Sequence, residues 1–227
     1  MKRYWVFILF VFFAGEVFAQ DKVVLSDQKY GFDPVLYNGK KYSFFPAAVI
    51  KGHQYLEQPD FTPGELILKG KVYRNVLLNF DVYNQLLLMK YYDDLNAACI
   101  IEISNAWLDG FTISGRRFVA ITNSNKTSLY EVIGNDWLHV LYSWSKQIKI
   151  EPATSNQAFT KAFRSSFIQI NGKMIIYRSK KQFLSSFDQD TRALIQRFLH
   201  SRHIRFNQIN NQQMEELINE IVKSKKL

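Results

Sequence analysis

Apolar residues fall in short runs over the first two thirds of the chain and at helical spacing over the last third. The two patterns predict different elements. From Val35 to about Ile150, runs rich in β-branched and aromatic types are punctuated by Gly, Asn and Asp, the mark of antiparallel strands joined by tight turns. Leu66–Leu68 and Val72-Tyr73 flank Gly70-Lys71. Val76–Tyr83 and Leu86–Tyr92 flank Asn84-Gln85, which reads as a tight hairpin. Ala98–Ile103 is a further strand. Phe111–Ile113 and Phe118–Ile121 flank Ser114-Gly115-Arg116, and Leu129–Ile133 and Leu138–Tyr142 flank Gly134-Asn135-Asp136. Ser166–Ile170 and Met174–Tyr177 flank Asn171-Gly172, the strongest hairpin signal in the chain.

A small motif recurs, with Gly followed by a basic residue and then an aromatic. It stands at Tyr37-Asn38-Gly39-Lys40-Lys41-Tyr42, at Leu68-Lys69-Gly70-Lys71-Val72-Tyr73 and at Ile113-Ser114-Gly115-Arg116-Arg117-Phe118, with a related form at Ile170-Asn171-Gly172-Lys173. Its irregular spacing predicts repeated hairpin turns rather than a solenoid, each glycine supplying the positive φ of the turn.

Helical signals follow. Ser179 and Gln182 form a capping box before Phe183, Leu184 and Phe187. Asp190 is placed to cap a helix from Thr191 to about Arg202, with Leu194, Ile195, Phe198 and Leu199 on one face. Asn210 with Gln213 opens a third, where Met214, Leu217, Ile218, Ile221 and Val222 form one stripe. Glu215, Glu216 and Glu220 occupy its polar side, so the stripe is expected to pack on the sheet rather than enter a membrane. The fold expected is α+β: a mainly antiparallel sheet, as open sheets or a partly closed barrel, over 35–177, then a basic helical segment over 178–227 packing on it.

The N-terminus carries a different signal. Lys2 and Arg3 precede an apolar run from Tyr4 to Gly15, and Val17-Phe18-Ala19 suits signal peptidase. A membrane anchor needs about 20 apolar residues, and this run stops at Glu16. Residues 1–19 therefore read as a signal peptide cleaved between Ala19 and Gln20, with a lead-in over 20–34 and no transmembrane span after cleavage. Gln20, not a cysteine, stands directly after the cleavage point, which argues against a lipid anchor. The location expected is periplasmic or secreted.

Charge sharpens the division. The net charge is +9, yet residues 20–145 hold 12 Lys+Arg against 13 Asp+Glu, and residues 146–227 hold 15 against 6. An exported protein with a basic end can meet an anionic envelope component or another protein. Nucleic acid is not expected outside the cell. Lys180, Lys181, Arg197, Arg202 and Arg205 are the candidate contacts for an anionic partner.

Reactive constellations are weak. Cys99, the sole cysteine, sits in an apolar strand and reads as an inert thiol. His200 and His203 stand at i, i+3, but Arg197, Arg202 and Arg205 crowd them against a cation. Asp93-Asp94 reads as a turn, and His53, in Lys51-Gly52-His53-Gln54-Tyr55, as a residue fixing a turn. No nucleophile elbow, phosphate loop or dinucleotide fingerprint occurs. No catalytic residue, metal or cofactor is assigned.

Gly52-His53-Gln54-Tyr55-Leu56, Gly64-Glu65-Leu66-Ile67-Leu68 and Val76-Leu77-Leu78-Asn79-Phe80-Asp81 resemble the motifs of a family of secreted proteins of unknown function, common in Bacteroidota. The segment 111–118 and the Asn171-Gly172 hairpin with the closing helices are similar too. The chain departs from the pattern at Gln54, where Pro is usual, and at Phe80, where Tyr is usual. The resemblance covers most of residues 36–222; it implies an envelope or secreted location and carries no activity. Function is thus expected to be that of a non-enzymatic envelope binding module. A carrier of a lipid or apolar ligand, motivated by the aromatic and aliphatic density of 76–92, is an alternative. A hydrolase drawing on Asp81, Asp93, Asp94, Glu102 and Asp109 is a weaker one.

Overall fold

The computed structural model describes residues 33–44, 46–47, 49–123, 126–135, 137–150 and 156–225. The expected leader and nearly all of the lead-in lie outside them. The strands are β1 (Gly39–Lys41), β2 (Thr62–Leu68), β3 (Lys71–Asp81), β4 (Leu86–Tyr92), β5 (Ala98–Ile103), β6 (Leu108–Ile113), β7 (Arg116–Asn123), β8 (Lys126–Asn135), β9 (Leu138–Ser145), β10 (Ile148–Ile150), β11 (Gln157–Phe159), β12 (Phe163–Ile170) and β13 (Lys173–Tyr177). Three α-helices follow: α1 (Lys180–Ser185), α2 (Gln189–Ser201) and α3 (Asn211–Lys225). Eleven strands form one open antiparallel sheet in the order β1-β5-β4-β3-β2-β6-β7-β8-β9-β12-β13, and β10 and β11 form a separate ribbon. The α+β expectation holds, and the sheet is open.

Local chemistry explains the turns. Lys69-Gly70, Ser114-Gly115 and Asn171-Gly172 each place two successive residues at positive φ. This is the two-residue turn whose twist matches that of paired strands. Gly39 is different. It is absent from the positive-φ residues and opens β1 against Ile103 of β5, so the first copy of the motif is an edge pairing and not a hairpin. A Cβ there would meet the carbonyl of Glu102.

Asn84-Gln85 is also not a two-residue hairpin. Asp81 pairs with Leu86, so the loop is Val82–Gln85. The Asp81 carboxylate builds it, accepting the N–H groups of Tyr83 and Asn84 at 3.0 and 2.9 Å. The 134–136 turn moves as well: β8 continues to Asn135, which pairs with Leu138.

The helix caps follow the sequence with one shift. Ser179 Oγ accepts from Gln182 N. Asn210 and Gln213 cap one another reciprocally. Asp188, not Asp190, caps α2, accepting from Thr191 N at 2.9 Å. Starting two residues earlier lets Thr191 enter the core.

Among the described residues two large cores and a small cluster of Tyr130, Val132 and Leu141 are buried. In the first, Phe111 and Phe118 stack at 4.6 Å, and Phe80 meets both edge-on at 5.6 and 5.5 Å. In the second, Met214, Leu217, Ile218 and Ile221 of α3 are fully buried in a cluster with Ile133 of β8 and Leu138, Val140 and Tyr142 of β9. Each such side chain contributes roughly 1.5–3 kcal/mol, so packing rather than helix propensity holds α3 in place. Gly134 makes the approach close. Its φ is +98°, and a Cβ would stand 2.8 Å from the Leu138 carbonyl and 2.9 Å from Ile218 Cγ2.

Candidate functional site: a basic cleft at the end of β13

The site begins with strand alternation. Arg164 of β12 pairs with Trp144 of β9, and Ser166 pairs with both Tyr142 of β9 and Tyr177 of β13. Cross-strand partners share a face, so Tyr142, Trp144, Arg164, Ser166 and Tyr177 form a patch on the side the helices cover. β13 ends at Tyr177, where the chain turns through Arg178 and Ser179 into α1. β12 runs three residues beyond its last pair with β13. A cleft of about 780 Å³ opens in the space left behind.

Arg164, Arg178 and Lys180 line it, together with the hydroxyl residues Ser165, Ser166 and Ser179. Phe206, Asn207 and Ile209 form the facing wall, and among the described residues no carboxylate contributes to the lining. The Arg164 guanidinium lies 3.9 Å over the Tyr142 ring and donates to the Ile209 carbonyl at 3.4 Å. Among the described residues, none of the three cations has a carboxylate partner.

Tyr142 is buried, and among the described residues its hydroxyl has no hydrogen-bond partner. The hydroxyl of Tyr177 is its near neighbour, and burial pushes both phenols above their ordinary range. The cleft therefore offers positive charge, hydroxyl donors and an unsatisfied polar atom, a surface suited to an anion with further polar groups.

The sequence candidates divide. Lys180 lines the cleft, and Arg205 immediately precedes the 3-10 turn Phe206–Gln208 of the facing wall. Lys181 faces a separate shallow hollow with Arg192 and Leu184. Arg202 is spent on Glu216 and lies 4.4 Å over Phe198. Arg197 is exposed on α2. Arg164 and Arg178 are the residues the sequence reading missed. Each sits alone in an alternating strand or turn, and only the ladder brings them together.

Beside the cleft stands a second charged cluster of another kind. Glu131 of β8 is 1 % exposed. It takes both prongs of Arg116, at 2.8 and 2.7 Å, the Trp144 indole at 2.7 Å and the Asn211 amide at 2.5 Å. Arg116 also reaches Glu57 at 2.9 Å. Burial alone would lower the Arg116 pKa, but the two carboxylates outweigh it and the value rises. Every group here is satisfied, and Asn211 ties the start of α3 to the sheet.

Three of the five carboxylates that motivate a hydrolase, Asp81, Asp93 and Asp109, are likewise committed. Asp81 is fully buried and holds Tyr42 and Asn84 side chains at 2.7 Å besides the two loop N–H groups. Asp109 accepts from Gly70 N. Asp93 accepts from Leu95 N and Ala97 N, making the β4–β5 turn. His53 follows Gly52, which bends the chain at φ +82°. Its carbonyl accepts from Lys146 Nζ at 3.0 Å, and its ring stacks on Tyr55. His203 takes a left-handed φ of +53° just past α2, a helix-ending role. Cys99 is half-buried in β5. Among the described residues no group of three or more His, Cys, Asp or Glu is placed to hold a metal ion, and no helix is long and apolar enough to cross a membrane.

Compared with protein-family models, curated proteins and solved structures, the chain finds no match.

Proposed function

We propose that this chain is an exported, non-enzymatic binding module of the cell envelope, and that it recognises an anionic partner at the cleft beside β13. The carrying observation is that Arg164, Arg178 and Lys180 converge on one cleft that, among the described residues, holds no carboxylate. The basic balance of residues 146–227 supports the same reading. Charge of one sign lining a concave surface raises the local concentration of the opposite sign. The apolar residues of 76–92 that would motivate a lipid carrier, Val76, Leu78, Phe80, Leu87 and Met89 among them, are instead consumed by the first core.

The test measures binding of fluorescein-labelled polyglutamate by fluorescence anisotropy at rising salt. The triple variant Arg164→Ala/Arg178→Ala/Lys180→Ala is expected to lose affinity about tenfold or more and to flatten the salt dependence. The control Lys181→Ala/Arg197→Ala is expected to keep both. Equal losses in the two variants would reduce the binding to unspecific charge.

A further inference from the structure

The sheet has two ends, and they are finished differently. β1 is three residues long and carries Lys40 and Lys41, the short, lysine-bearing edge that discourages further pairing. β13 is five residues long and reads Lys-Met-Ile-Ile-Tyr. Ile175 is 36 % exposed and Ile176 48 % exposed, one on each face of the sheet. Among the described residues β12 is the only strand paired with β13, while α1 and Phe206 pack against its Tyr177. An edge with apolar residues on both faces is a template for one more strand.

Register shows which backbone groups are free. The two-residue turn Asn171-Gly172 makes Ile170 and Lys173 a hydrogen-bonded pair, and such pairs alternate along an antiparallel ladder. With Ile168 opposite Ile175 and Ser166 opposite Tyr177, the inward groups belong to Lys173, Ile175 and Tyr177. The N–H and C=O of Met174 and Ile176 therefore point off the sheet. Among the described residues no hydrogen bond takes them up.

Charge selects the occupant. Lys173 stands at the start of this edge, and Arg178 and Lys180 at its end, beside the cleft that also holds Arg164. A second copy of this chain fits poorly, because antiparallel self-pairing sets the Lys173 end of one copy against the Arg178–Lys180 end of the other. An acidic extended segment meets both ends with opposite charge.

We infer that β13 takes an additional strand from an acidic polypeptide, whose backbone pairs with Met174 and Ile176 and whose carboxylates enter the cleft. This rests on the anionic-partner reading and names the partner's chemistry. Backbone pairing supplies affinity and the cations supply choice, as in other strand-addition sites.

The experiment titrates the full chain with a labelled Glu-Val-Glu-Val-Glu-Val-Glu peptide, the same peptide N-methylated at alternate residues, and an oligogalacturonate of equal charge. Wild-type protein is expected to bind the first peptide about tenfold or more tighter than the other two. Ile176→Pro removes an outward N–H, which an edge strand tolerates, and is expected to cost the same factor with its melting temperature nearly unchanged. If the N-methylated peptide binds as well as its parent, strand addition is overturned whatever the proline variant does. Loss of affinity in the Arg164/Arg178/Lys180 variant would then still uphold the anionic-partner reading. Equal binding of the oligogalacturonate would assign the cleft to an acidic glycan. A dimer in sedimentation that the peptide does not dissociate would assign the edge to a second copy.

Discussion

Arg116 and Arg164 both lie over the ring of Trp144, at 4.7 and 5.8 Å, and they are put to opposite uses. Arg116 is held in a bidentate pair with buried Glu131 and touches Glu57 as well. Arg164 has an aromatic bed and one long bond to a carbonyl, but among the described residues no carboxylate. The same side chain on two strands of one sheet, β7 and β12, is structural where its charge is cancelled and available where it is not. The difference comes from what stands across from each: β8 places a carboxylate near Arg116, whereas β12 and β13 place hydroxyls near Arg164.

The comparison breaks most visibly at Glu131. Glu131→Gln leaves the Arg116 charge half-buried without its main partner, and removing one member of a buried pair costs about 3–5 kcal/mol. Denaturant unfolding is expected to show a loss of that size, and a loss under about 1 kcal/mol would make the pair ornamental. The double variant Arg116→Met/Glu131→Leu removes both charges and is expected to recover at least half of that loss, since a packed apolar pair of similar volume often replaces a buried ion pair without penalty.

Arg164→Ala sharpens the other side. Stability is expected to fall by about 1 kcal/mol or less, the worth of a cation–π contact at a partly exposed site, while polyglutamate binding falls several-fold. A large stability loss with unchanged binding would move Arg164 into the structural class beside Arg116.

The smallest effect concerns a third cation. Lys146 sits beside His53, and the pKa of His53 lies below its ordinary value of 6.5, first through burial and then through the Lys146 charge. The unfolded chain therefore binds a proton at His53 more readily than the folded one. Stability from this source is complete above pH 6.5 and declines as pH falls through the lower folded value. A melting series across this range is expected to show that decline, and His53→Gln to remove it. Asp33 and Asp188, held below the usual carboxylate range by Lys71 and Lys225, act only at more acid pH.

What the sequence disclosed was local. The Asn171-Gly172 turn, the turns at Gly70 and Gly115 to within one residue, the Ser179 and Asn210 caps and the apolar stripe of α3 each rest on residues a few positions apart. The failures share the opposite property. Gly39 carries the same motif as the hairpin glycines, but its partner Ile103 lies far along the chain. Arg116 reads as a turn residue until the β7–β8 ladder sets it beside Glu131. Arg164 and Arg178 are unremarkable singly and become a site only where β13 stops short of β12. Asp81 reads as one more position of a strand pattern, whereas burial lets its carboxylate organise the loop that follows.

The strand order has a kinetic consequence. β2 to β5 form one run of hairpin neighbours and β6 to β9 another, with every pairing inside each run between strands adjacent in sequence. Only the β2–β6 ladder, from Glu65 opposite Thr112 to Leu68 opposite Leu108, joins the two runs. Near contacts form early and distant ones cost loop entropy, so each run can zip on its own while this seam closes late. Gly64 lies at that seam, where a Cβ would strike the Thr112 carbonyl. A side chain at that position would act mainly on the slow final step, leaving two half-sheets formed but unjoined, with their apolar edges open to other chains.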